Sequence, residues 1–132
     1  MSQSAPLDVL DVLIIEDEEH VAELLAEVLR EDGYRVAIVG DGLRGLESVT
    51  RRQPRVVLCD VMLPGMAGTE VLLNIRAMPA VKAPAVILMS AAARPSIAPP
   101  DVPFLAKPFN IDELLCCVQS QFQQRRSGST RS

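Results

Sequence analysis

Five polar side chains close apolar runs in this sequence. Glu16 and Asp17 follow Val12 to Ile15, Asp60 follows Val56 to Cys59, Ser90 follows Ala85 to Met89, and Lys107 follows Phe104 to Ala106. Three carboxylates brought together repel one another and raise their own pKa values. A divalent cation relieves that repulsion. A donor set made only of oxygen, with one or two protein carboxylates, suits Mg²⁺ (or Mn²⁺) and leaves room for waters and a phosphate. Lys107 adds a mobile point charge suited to a phosphoryl oxygen, and Ser90 adds a hydroxyl donor. A carboxylate beside a metal and a cation can act as a nucleophile toward phosphorus, giving an aspartyl-phosphate. Such catalysis is mostly positioning and charge neutralisation.

The segments that must position these groups alternate in type. Short apolar runs at Val12 to Ile15, Val36 to Val39, Val56 to Cys59, Ala85 to Met89 and Phe104 to Ala106 predict five strands. The runs are continuous, which fits strands buried on both faces of a parallel sheet. Between them, apolar residues recur at helical spacing. Val21, Leu24, Leu25, Val28 and Leu29 mark a first helix that stops at Gly33. Leu43, Leu46 and Val49 mark a second, ending before Pro54. Val71, Leu72, Ile75 and Met78 mark a third, ending before Pro79. Ile111, Leu114, Leu115, Val118 and Phe122 mark the last, with Asn110 as its N-cap. The expectation is a three-layer α/β domain with helices on both faces of the sheet. All five polar residues then fall on its carboxyl edge, where open α/β sheets bind ligands.

Composition narrows the function classes. The 132 residues suit one domain of roughly 100–200 residues, which can bury about two-thirds of its unfolded surface without disulfides or metal. A net charge of −4 argues against direct nucleic-acid binding, which needs a basic face. With aromatics at 3% and no Trp, stacking platforms for single strands are also unexpected. No apolar run approaches the ~20 residues of a membrane span, and Met1 to Pro6 lacks the pattern of a signal peptide. Cys59, Cys116 and Cys117 have neither zinc nor disulfide spacing, and fit a reducing cytoplasm. Cys59 is expected to pack as a small apolar residue. Of Cys116 and Cys117, one is expected to pack and the other to be exposed. His20, flanked by acids at a helix start, reads as a solvated surface residue.

Taken together, Ile15-Glu16-Asp17-Glu18, Asp60-Val61-Met62-Leu63-Pro64-Gly65 with Gly68, Met89-Ser90-Ala91 and Lys107-Pro108-Phe109 resemble the motifs of a response-regulator receiver domain of two-component signalling. The resemblance covers residues 9–124. It implies a flavodoxin-like, five-stranded parallel sheet of order 2-1-3-4-5. Residues 1–8 are expected to form a flexible arm, and the polar, aperiodic stretch 125–132 a flexible tail. The resemblance also implies roles. Asp60 would be the phosphoacceptor. Asp17, Asp60 and the Met62 backbone carbonyl would hold Mg²⁺, with Glu16 acting through a water. Ser90 and Lys107 would bind the phosphoryl group, and Phe104 would be the aromatic switch. The Lys107–Pro108 peptide bond would be cis. The implied partners are a sensor histidine kinase or histidine phosphotransfer protein, and a downstream target protein or a removed output domain. Self-phosphorylation and slow autodephosphorylation would be the extent of its chemistry, so it is not expected to be an enzyme with turnover.

Several residues depart from the family pattern. Glu16 and Ser90 stand where Asp and Thr are commoner, and Phe104 replaces a Tyr and so lacks a hydroxyl. Residues 91–103 read AAARPSIAPPDVP. Proline in a helix interior costs ~3 kcal/mol or more. The helix that receivers carry between their fourth and fifth strands is therefore expected to be missing or very short. In the family that helix belongs to the signalling and dimer face. The altered segment motivates an alternative reading as a pseudo-receiver, a binding module that signals without phosphorylation. A related α/β phosphatase would carry a second acid two residues after its nucleophile, where this chain has Met62.

Overall fold

A computed structural model describes residues 9–80 and 82–130, with side chains described to residue 124. The elements run β1 (Val12–Ile15), α1 (Glu19–Glu31), β2 (Val36–Val39), α2 (Gly42–Arg52), β3 (Val56–Asp60), α3 (Gly68–Arg76), β4 (Ala85–Ser90), β5 (Phe104–Ala106) and α4 (Ile111–Thr130). The strands form one sheet of order β2-β1-β3-β4-β5, and every neighbouring pair is parallel.

The continuous apolar runs are explained by two cores, one on each face. Successive strand residues point to opposite faces. Val12, Ile14, Val56, Leu58, Ile87 and Met89 enter one core, beneath Ala22, Leu25, Ala26 and Leu29 of α1 and Leu114 and Val118 of α4. Leu13, Ile15, Val57, Cys59, Val86 and Leu88 enter the other, beneath Val49 of α2 and Val71, Leu72 and Ile75 of α3. Three residues of the expected helix stripes do not join them. Leu24 and Leu43 are each 62% exposed and Ile111 is 56% exposed. In α1, Ala22 and Ala26 share the inward positions with Leu25 and Leu29, and their small side chains give little hydrophobic signal but let the helix sit close.

Helix ends follow local chemistry. Gly33 takes φ +98° after α1, a conformation glycine adopts without penalty. The Asp41 carboxylate accepts from Arg44 N at 2.8 Å and starts α2. At α4, Asn110 Oδ1 accepts from Glu113 N at 2.8 Å and Glu113 Oε1 accepts from Asn110 N at 3.0 Å, a reciprocal cap.

Residues 91–103 contain no helix and form a strap of turns, as their prolines require. The turns are closed by Ala98 N donating to Pro95 O at 3.2 Å and Val102 N donating to Pro99 O at 3.1 Å. Ala98 and Val102 are buried in the second core. The final helix departs from expectation. It continues past residue 124 to Thr130, so the tail expected at 125–132 is helical over 125–130. No proline or glycine interrupts the chain between Asn110 and Gly128. The arm expected at 1–8 and the last two residues lie outside the described residues.

Candidate functional site

The carboxyl edge of the sheet gathers the predicted residues. Glu16 and Asp17 follow β1, Asp60 and Ser90 end β3 and β4, and Lys107 follows β5. Glu16 and Asp60 are 2% and 6% exposed, whereas Asp17 faces solvent. A carboxylate oxygen from each of the three lies within 4.8 Å of the others.

Lys107 bridges the two buried acids. Its Nζ lies 2.8 Å from Glu16 Oε1 and 2.8 Å from Asp60 Oδ2. Backbone N–H groups take the remaining oxygens: Met62 N donates to Asp60 Oδ1 at 2.8 Å, and Glu18 N donates to Glu16 Oε2 at 3.1 Å. Burial pushes the Glu16 carboxyl up, partly offset by Lys107 and the Glu18 N–H, while the Asp60 charge adds to the rise. Burial works against the charge of Lys107, but its bonds to Asp60 and Glu16 outweigh it and hold the ammonium above its ordinary value.

Ser90 is buried, with its Oγ accepting from Ala92 N at 3.1 Å. Its carbonyl accepts from Lys107 N at 2.8 Å, which locks the end of β4 beside the lysine. Phe104 is half-buried against the second core. The Lys107–Pro108 peptide is cis. Met62 reaches the cluster through its backbone, with its side chain 67% exposed. His20 is exposed. Cys59 is buried, and burial pushes its thiol far up. Cys116 is exposed and Cys117 half-buried.

Three contributors to the site carried little sequence signal. The Glu18 N–H works through backbone, which any residue supplies. Gly68 was visible as part of a motif but without a physical reason. A Cβ there would sit 2.3 Å from the Asp60 carbonyl oxygen, so α3 begins against the backbone of the central acid. Gly45 lets α2 approach β1, since its Cβ would fall 2.4 Å from Ile15 Cδ1. Beside Lys107 an open apolar groove of about 390 Å³ is lined by Val21, Leu24, Val28, Pro108, Phe109 and Ile111, among others.

The arrangement offers a buried carboxylate oriented by an ammonium and an N–H, next to an exposed second acid. Its oxygen donors suit a hard divalent cation.

Comparison with known proteins follows the same lines. Residues 12–119 match the family model described as response regulator receiver domain. The chain is 35% identical over 117 residues to the uncharacterized transcriptional regulatory protein YkoG of Bacillus subtilis, covering 86% of this chain and 51% of that protein. It is 48% identical over 66 residues to the sensory transduction protein RegX3 of Mycolicibacterium smegmatis, covering 50% of this chain and 29% of that protein. The chain thus spans about half or less of these curated relatives. Among solved structures, the signal receiver domain of a putative Luxo repressor protein from Vibrio parahaemolyticus superposes with a TM-score of 0.81 at 25% identity, over 91% of this chain and 95% of that one. The receiver domain of a sensor histidine kinase from Pseudomonas aeruginosa PAO1, solved with magnesium coordinated in its active-site cleft, gives 0.77 at 28% identity, over 87% and 98%.

Proposed function

The chain belongs to the response regulator receiver domain family, and from that premise we propose that it is a phosphorylatable receiver with Asp60 as its phosphoacceptor. Receiver domains are signalling modules of two-component systems. The observation that carries the reading is the state of Asp60: buried at a strand end, one oxygen 2.8 Å from Lys107 and the other held by the Met62 N–H.

The phosphoryl group comes from a phosphohistidine on a sensor histidine kinase or a histidine phosphotransfer protein. An Asp60 carboxylate oxygen attacks phosphorus, the P–N bond breaks, and its electron pair stays on the imidazole nitrogen. Lys107 neutralises charge on the phosphoryl oxygens, and the Ser90 hydroxyl donates to one of them. Bound Mg²⁺ (or Mn²⁺) supplies Lewis-acid neutralisation; Asp17, Asp60 and the Met62 carbonyl would hold it, with Glu16 reaching through water. Phosphorylation adds roughly −1.5 to −2 charge by analogy with other phosphorylated residues. That charge draws Ser90 toward the site and keeps Lys107 on it, and the Phe104 ring follows, so that protein contacts switch. Water later removes the phosphoryl group slowly. The donor protein docks over the apolar groove flanked by exposed Leu24 and Ile111. Output passes to a target protein or an attached output domain, which would make any contact with DNA. Among the described residues no helix is long and apolar enough to cross a membrane.

A second reading, a pseudo-receiver, draws on the helix-free strap at 91–103. One experiment separates the two. Intact mass is measured after incubation with Mg²⁺ and acetyl phosphate, beside Asp60→Asn and a metal-free control. We expect one phosphoryl group on the wild type and none on either control. A folded wild type that gains none from acetyl phosphate or from its kinase would favour the pseudo-receiver.

A further inference from the structure

The strap at 91–103 joins Ser90, at the end of β4, to Phe104, at the start of β5. Its near end is tied to Ser90 through Ala92 N on Ser90 Oγ at 3.1 Å. Its far end is tied to β4 through Leu88 N on Pro103 O at 3.0 Å. A helix would hold such a segment by its own backbone ladder. Here four prolines at 95, 99, 100 and 103 remove N–H donors, and the two short turns each stay within the far limb.

The link between the limbs is a side chain. Arg94 donates from Nη1 to the Val102 carbonyl at 2.7 Å and from Nη2 to the Pro99 carbonyl. Arg94 is half-buried. A planar guanidinium can serve two carbonyls at once, which a lysine ammonium on its flexible stem does poorly. The far limb is fixed in turn. Val102 and Ala98 are buried in the second core, and Asp101 pairs with Arg76 of α3 at 3.0 Å. Only Ala93 separates Arg94 from Ala92, so the guanidinium fastens the backbone that holds the Ser90 hydroxyl to the anchored far limb.

We propose that Arg94 is a positioning residue that latches the strap in its resting arrangement and so holds back the residues at its two ends, Ser90 and Phe104. The effect on phosphorylation rests on the phosphoacceptor reading above; the latch itself does not. A contact made in the resting state and loosened in the switched state biases the equilibrium toward rest. Removing it eases the switch.

The test uses the full chain with Arg94→Ala and Arg94→Lys. Amide exchange is followed by NMR at Leu88 and Ala92, with the α1 amides as an internal control. Beryllofluoride with Mg²⁺ is then titrated as a phosphoryl mimic. With Arg94→Ala we expect exchange at Leu88 and Ala92 to rise, and half-saturation to fall to roughly three- to tenfold less beryllofluoride, within the span of single-residue effects on coupling. Arg94→Lys should lie between. The α1 amides should not change. Unchanged exchange at Leu88 and Ala92 would overturn the latch. Raised exchange with equal or weaker beryllofluoride binding would overturn its role in holding back the switch. If the wild type binds no beryllofluoride, the phosphoacceptor reading fails, and the exchange data still decide the latch.

Discussion

Burial holds the Glu16 proton to a higher pH in the folded chain than the ordinary value of 4.5, despite the opposing pull of Lys107 and the Glu18 N–H. The native state therefore binds more protons than the unfolded chain above that value. The stability contributed by this group is complete below 4.5 and is lost as pH rises through the folded value. We expect Glu16→Gln to remove this loss. In metal-free buffer, the wild type should lose stability relative to the variant as pH is raised from 4.5 toward neutrality. Urea midpoints of the two proteins across that window check it; parallel curves would refute the assignment. At this scale the candidate site was readable wherever a polar side chain interrupted an apolar run, as at Glu16, Asp60, Ser90 and Lys107. Contributions made by backbone, such as the Glu18 and Met62 N–H groups, have no residue-type signature. Nor did Arg94 stand out, because a lone cation in a proline-rich stretch looks like any solvated side chain.

Elements were predicted by different physics, with different success. The strands were readable because burial on both faces removes polar residues. The absence of a helix at 91–103 was readable because proline forbids it. What replaces that helix was not, since Ala98 and Val102 are too small and too isolated to announce a core position. Helix faces were read in part: Leu24, Leu43 and Ile111 fit the period but lie outward, and Ala22 and Ala26 share the inward places on α1 with Leu25 and Leu29. Gly68 shows why element placement and site chemistry are one problem. An added Cβ would meet the Asp60 carbonyl oxygen at 2.3 Å and Val61 Cα at 2.8 Å, both backbone atoms that cannot swing aside. Gly68→Ala should therefore push the start of α3 outward. We expect a stability loss of about 1–3 kcal/mol, in the range for overpacking, together with weaker Mg²⁺ binding. Thermal unfolding and a metal titration monitored by NMR measure both. An unchanged protein would show that the helix start yields freely.

For the whole molecule, alternation of strand and helix points to a three-layer α/β domain. The order β2-β1-β3-β4-β5 follows from resemblance to receivers, because alternation leaves more than one right-handed winding open. The completed fold sets exposed Leu24 of α1 beside exposed Ile111 at the start of α4, a neighbourhood that spans most of the chain in sequence. The proposed docking of a protein donor there makes a prediction at this scale. Leu24→Asp should slow phosphoryl transfer from a phosphohistidine protein by at least about tenfold, as loss of a central apolar anchor does. Transfer from acetyl phosphate, which needs no docking surface, should be unchanged. Equal rates from the protein donor would place the interface elsewhere.

The prolines of the strap also act where no structure exists. Each fixes φ near its folded value and removes conformations from the unfolded ensemble, an effect of about 0.4–1 kcal/mol per compatible site. Pro95, Pro99, Pro100 and Pro103 thus leave this segment less conformational freedom to lose when the chain folds. That smaller entropic loss is why one guanidinium, two short turns and two small buried side chains suffice to order a stretch that a helix would otherwise have to hold.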